Sequence, residues 1–213
     1  MNYSEYASMP IEISPSTRQR LIESLDSWNF EPHKLPEDEV FCCTQILFET
    51  LFRVVGMQDA IGLPLGKSRT CLVRPTTADL VVTGQISQFI RHLRTIYRVQ
   101  NSYHNFQHAL DVLQATQTFL CAAGKVPPVA ILASDDDNRR MFFPDKREGR
   151  DDELISSLDN LDLFTLYIAA IGHDVGHPGF TNAFMVCPII QHSRLSMYNH
   201  IAEKRKNSPF TGL

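Results

Sequence analysis

Apolar positions recur at intervals of three and four along most of this chain, and few segments alternate with a period of two. That pattern predicts helices rather than strands, and no convincing hairpin dipeptide argues otherwise. Ser14-Pro15 offers an N-cap followed by a proline at the first helical position, opening a helix to about Ser27. Trp28-Asn29-Phe30, with prolines at 32 and 36, reads as an extended connector that pins aromatic rings onto a neighbour. Glu37, Asp38 and Glu39 place acid in the first turn of a second helix, where the dipole favours it. Val40, Phe41, Ile46, Leu47, Leu51, Phe52 and Val55 form its apolar side, with Gly56 as the expected stop. Residues 61–79 read as loop, and a helix is expected over about 84–99 on Ile86, Phe89, Ile90, Leu93, Ile96 and Tyr97. A further helix is predicted from His104 to Ala123, its stripe running through Phe106, Leu110, Leu113 and Leu120 and closed by Gly124. Leu161 to Ile171 is apolar nearly all round, the pattern of a helix buried within a bundle, and it delivers His173-Asp174 at its far end.

Residues 1–13 read as a flexible start, and 134–153 as a mobile, solvated charged insertion within a domain spanning 14–187. The tail 188–213 turns polar and basic and is expected to be poorly ordered. The 213 residues carry 20 Lys+Arg against 24 Asp+Glu, with 43% hydrophobic and 21% charged, which is ordinary globular composition. A pI near 6.0 argues against a protein held to nucleic acid by charge. No apolar run approaches the roughly 20 residues of a membrane helix, and the start lacks a secretory signal pattern. Five scattered cysteines without a C-x-x-C pair fit reduced core thiols, so a cytoplasmic protein is expected.

The chemistry lies in the histidines. Eight are present, and four form two i,i+4 pairs, His104/His108 and His173/His177. Chance placement would give about 0.3 such pairs. On a helix this spacing brings two imidazoles onto one face, with Cβ atoms about 5–6 Å apart. They could then share a metal, or one could ligate while the other donates a proton. Asp111, seven residues past His104, is placed to orient a ligand histidine. An ionised Asp174 at the end of an apolar helix needs a positive partner, which a divalent ion supplies. Pro178 disfavours helical geometry at His177, so a break is expected near Gly176. Nitrogen and carboxylate oxygen without sulfur suit Zn²⁺, Mn²⁺ or Fe²⁺, with Mg²⁺ on the oxygen side. His33, His92, His192 and His200 read as ordinary surface or core residues. Gly62 to Ser68 has one residue too few between its glycines for a phosphate-binding loop, and Asp135-Asp136-Asp137 lacks the glycine and closing glutamate of an EF-hand.

Tyr103-His104-Asn105-Phe106-Gln107-His108-Ala109 resembles the Y-H-N-x-x-H-A segment of the class I cyclic-nucleotide phosphodiesterases. His173-Asp174-Val175-Gly176-His177-Pro178-Gly179, followed by Asn182, resembles their H-D-x-x-H-P-G signature, and Thr181 departs from the usual asparagine. The resemblance implies an all-α, multi-helix bundle of the HD-like phosphodiesterase type, incomplete on its C-terminal side because little after Pro188 matches. It also implies two divalent ions, Zn²⁺ and Mg²⁺ with Mn²⁺ as an alternative. His108, His173 and Asp174 would be ligands, His177 a contact to water on the metal, His104 the proton donor, and Tyr103 a pocket residue. The implied reaction is hydrolysis of cAMP or cGMP to the 5′-monophosphate in signal transduction. Helix faces built to meet further helices would favour a homodimer. Two other readings stay open: a general HD-type metal phosphohydrolase, and an inactive chain acting as a binding or regulatory partner. The Y-H-N-x-x-H-A segment, which a bare His-Asp motif does not require, favours the phosphodiesterase.

Overall fold

Eight of the nine buried side chains from Phe41 to Leu51 on the second helix are fully or almost fully withdrawn from solvent, and the other elements are laid around them. The structure, a computed structural model, describes residues 13–62, 77–133, 141–144 and 153–180, with backbone alone at 77–83 and 153–154. These fall into two compact units that part between Gly176 and His177. The first contains α1 (Pro15–Leu25), α2 (Glu37–Leu51), the short α3 (Met57–Ala60), α4 (Thr77–Ile96), α5 (Phe106–Ala122), α6 (Glu153–Ser157) and α7 (Asn160–Gly172). Two single-turn 3-10 segments, Pro32–Lys34 and Val129–Leu132, join them. Among the described residues the only β pairing is an isolated parallel bridge between Val54 and Phe142. No described helix is long and apolar enough to cross a membrane.

α2 packs against α1, α4 and α5, and α5 packs along α7. Phe41, Cys43, Ile46, Leu47, Phe48 and Leu51 fill the centre, each large side chain contributing roughly 1.5–3 kcal/mol by leaving water. Ser14 caps α1 by accepting the Thr17 N–H at 3.0 Å, as its sequence predicts. Trp28 meets Phe119 edge-on at 5.8 Å and Phe30 is buried, so the connector does fix its aromatic rings. His33 and His92 are surface residues, and Cys42 and Cys43 are buried free thiols. Cys71, Cys187, His192, His200, the 63–76 segment, the acidic run 135–137 and both chain ends lie outside the described residues.

Several boundaries differ from the sequence expectation. α2 stops at Leu51 rather than Gly56, because its last turns tighten through Arg53 N–H to Thr50 O and Val54 N–H to Leu51 O. The chain then turns outward to pair with Phe142, which accepts from Val55 N–H at 3.0 Å and donates to Arg53 O at 2.7 Å. Val55 is therefore exposed and Val54 takes the buried place. Gly56, at φ 78°, opens α3 instead of closing α2. α4 begins at Thr77, inside the segment read as loop, since the interior Gly84 obscures its continuity. It ends at Ile96. Phe142, within the stretch read as a mobile charged insertion, packs half-buried against the core. α7 is not buried all round: Leu161 is 52% and Leu166 38% exposed.

Two glutamines on α5 escaped the apolar stripe and hold the chain reversals around it. Gln114 Nε2 donates to Leu25 O at 2.9 Å and Ser27 O at 3.1 Å. Gln117 Nε2 donates to Pro127 O at 2.7 Å, and its carbonyl accepts from the buried Tyr167 hydroxyl. Gln117→Leu would strand both partners in a dry interior. Urea unfolding of the variant is expected to show a loss of about 2 kcal/mol; a loss no larger than that of an exposed substitution would contradict this account of the core.

Candidate metal centre

His108 stands one turn into α5, and the Asn105 N-cap sets its position. Asn105 Oδ1 accepts the His108 N–H at 3.0 Å. Asn105 Nδ2 donates to Asn101 O, and Asn101 Nδ2 donates to His104 O, each at 3.0 Å. The two asparagines thus tie the approach loop to the first turn of α5. His104 lies in that loop and not on the helix, contrary to the expectation of one shared helical face. An N-cap residue takes extended backbone angles, here φ −125° and ψ −179°, so the helix starts only at Phe106. The loop nevertheless brings the His104 and His108 rings to 6.2 Å between centroids.

The second motif arrives from α7, whose C-cap is His173. The helix ends at Gly172, earlier than the expected break at Gly176, and turns through Gly176 at φ 76°, a left-handed angle that a side chain would strain. His173 Nδ1 faces Ala170 O at 2.8 Å. A carbonyl only accepts, so Nδ1 carries a proton there, which leaves Nε2 as the ring nitrogen available to a metal. That Nε2 lies 3.1 Å from Asp174 Oδ2, and His108 Nε2 lies 3.6 Å from the same oxygen. The two rings are 5.2 Å apart at 72°.

Asp174 Oδ2 is buried and, among the described residues, accepts no hydrogen bond. Two imidazole nitrogens and a carboxylate oxygen therefore face one another with no hydrogen bond to that oxygen, an arrangement that burial makes costly. A divalent cation among His108 Nε2, His173 Nε2 and Asp174 Oδ2 removes that cost. The three ligand atoms lie within 4.8 Å of one another, so one ion can reach all of them. Burial, followed by the neighbouring His173 ring, holds the His108 imidazole below its ordinary pKa against the pull of Asp174. Neutral imidazole is the ligand form.

A His104 ring nitrogen also comes within 4.8 Å of an Asp174 carboxylate oxygen. Tyr103 is 61% exposed and lies against His108, with ring centroids 4.2 Å apart, and meets His104 edge-on at 5.1 Å. Asp111 is exposed and acts on His108 as a charge that raises its pKa. His177 belongs to the second unit, where its Nδ1 accepts the Gly179 N–H at 3.0 Å. The sequence reading did not single out Asn101 and Asn105 for a role, although asparagine one residue before an apolar helical run is an N-cap signal.

A family model described as 3′,5′-cyclic nucleotide phosphodiesterase matches residues 103–203. The chain is 26% identical over 164 residues to the 3′,5′-cyclic-nucleotide phosphodiesterase regA of Dictyostelium discoideum, covering 77% of this chain and 14% of regA. It is 27% identical over 207 residues to the human cGMP-inhibited 3′,5′-cyclic phosphodiesterase 3A, covering 85% of this chain and 16% of that protein. The crystal structure of yeast caPDE2 in complex with IBMX superposes with a TM-score of 0.51 at 28% identity, over 87% of this chain and 31% of that one. The chain is similar in sequence to 3′,5′-cyclic nucleotide phosphodiesterases, its helical fold matches that of a solved one, and it spans only 14–16% of the length of the two relatives named. The family uses divalent metals, and the donor set here fits one.

Asp174→Asn removes the anionic oxygen that lacks a donor. The metal-free variant is expected to match or exceed the metal-free parent in stability, by about 1 kcal/mol. Zinc at a hundred times its dissociation constant would stabilise the parent by about 2.7 kcal/mol. The variant would gain little at that same zinc concentration. Thermal melts with and without Zn²⁺ read both effects, and equal zinc stabilisation of the two proteins would contradict the assignment.

Proposed function

We propose that this chain serves the metal-dependent hydrolysis of a 3′,5′-cyclic nucleotide, cAMP or cGMP, to the nucleoside 5′-monophosphate. The observation that carries the proposal is the buried Asp174 oxygen facing two imidazole nitrogens, with a third imidazole, His104, beside it. His108, His173 and Asp174 hold the first divalent ion, read as Zn²⁺, and Asp174 also serves a second, read as Mg²⁺ or Mn²⁺. When bound, the ions supply Lewis-acid stabilisation of the phosphoryl oxygens and acidify the attacking water.

The chain's own residues carry the remaining work. Opening a cyclic phosphate expels the 3′ oxygen, which leaves poorly unless it is protonated. His104 is held by its loop beside the carboxylate, the place for a general acid. Tyr103 packs on both imidazoles and limits the directions in which they turn. His177, by its position in the second motif, is assigned a contact to bound water, and Asp111 a supporting charge on His108. The free thiols Cys42, Cys43 and Cys121 suit a reducing cytoplasm. A second copy of the chain is the proposed partner, with the exposed Leu161 and Leu166 of α7 as apolar points of contact.

The test is incubation of the purified chain with Zn²⁺, Mg²⁺ and either cAMP or cGMP, with chromatography of the products. Formation of 5′-AMP or 5′-GMP is expected, falling roughly 10²- to 10⁴-fold in His104→Ala while bound metal is retained. Undiminished turnover in that variant removes His104 from the reaction. Stoichiometric metal without any product from the parent protein would overturn the enzyme reading in favour of a binding role.

A further inference from the structure

Tyr97 follows the last residue of α4 and is 4% exposed. Its hydroxyl donates to Ile171 O at 2.8 Å and accepts the Asp174 N–H at 3.3 Å. Its ring meets Phe106, the first residue of α5, edge-on at 5.7 Å. One side chain therefore touches the start of the helix that carries His108 and spans the turn that carries His173 and Asp174.

That turn needs such a support. The last carbonyls of a helix have no donor within it, and a helix end frays unless they find one. Here Ala170 O takes the His173 ring, Gly172 O takes the Val175 N–H, and Ile171 O takes the Tyr97 hydroxyl. Burial pushes the Tyr97 phenol up to about 12, so it stays protonated at neutral pH. Its single proton is committed to Ile171 O, which leaves its oxygen lone pairs for the Asp174 N–H.

We propose that Tyr97 is a positioning residue that locks the Asp174 backbone, and with it the carboxylate, in register with His108 and His173, so that the cation site exists before the cation arrives. This rests on the metal-site reading above and adds to it a residue outside both histidine motifs. Tyr97 acts through Asp174 and touches neither ion nor substrate.

Tyr97→Phe removes the hydroxyl and keeps the ring. The probe is Co²⁺ alone, added to the full chain, with affinity taken from a titration and site geometry from the visible absorption of the bound ion. Ile22→Val, a comparably mild change in the buried face of α1, controls for lost stability. Tyr97→Phe is expected to weaken Co²⁺ binding about 10- to 100-fold and to alter the spectrum, whereas Ile22→Val changes neither. Parental affinity and spectrum in Tyr97→Phe would overturn the proposal while leaving the metal site standing. Failure of the parent chain to bind Co²⁺ would overturn both. Amide exchange in the metal-free parent gives a second reading that needs no variant: the Asp174 N–H is expected to be protected, and exchange at the rate of an unstructured peptide would overturn the proposal even if Tyr97→Phe does not fold.

Discussion

A carboxylate oxygen withdrawn from water and given no proton donor raises the energy of any fold that contains it, unless a cation meets it there. Asp174 Oδ2 is in that position, with the His173 and His108 nitrogens at 3.1 and 3.6 Å. Much of the architecture of the first unit follows from bringing these three groups together. They come from helices far apart in sequence, so α5 and α7 must pack side by side with their relevant ends aligned. The central α2 supplies the apolar floor against which α5 rests, while Gln114 and Gln117 close the surrounding turns.

The local devices that aim the ligands are backbone-directed polar side chains. Asn105 and Asn101 fix the entry to α5, and the His173 ring fixes its own tautomer on the Ala170 carbonyl. Each device satisfies a backbone group that a helix end leaves without a partner. The result is a site whose stability cost in the absence of an ion and whose affinity for one have the same origin. Removing the charge should relieve the first and abolish the second.

The sequence made much of this legible, for identifiable reasons. The i,i+4 histidines and His-Asp pair are local patterns, and they pointed to the residues that converge. Helix existence was readable from periodicity in α2, α5 and α7, because each carries a dense apolar stripe, and in α1 from its Ser14-Pro15 start. What escaped depends on tertiary context. Gly84 lowered the apparent helicity of α4, and the 142 strand-like bridge needs Val54, nearly ninety positions away. His104 was placed on a helix because spacing alone does not show that Asn105 caps it. The buried glutamines lie off the apolar stripe of α5, and Tyr97 read as the end of an apolar stripe. The exposed face of α7 was hidden by a pattern that reads the same whether a neighbour covers it or not.

The central claim is that imidazoles from α5 and the end of α7 and one carboxylate together hold a divalent cation. X-ray absorption at the zinc edge of the zinc-loaded chain tests it most directly. The account predicts a shell of nitrogen and oxygen at about 2.0–2.1 Å with outer-shell scattering from two imidazole rings and no sulfur. Sulfur in the shell, or an ion surrounded by water alone with no imidazole scattering, would contradict it.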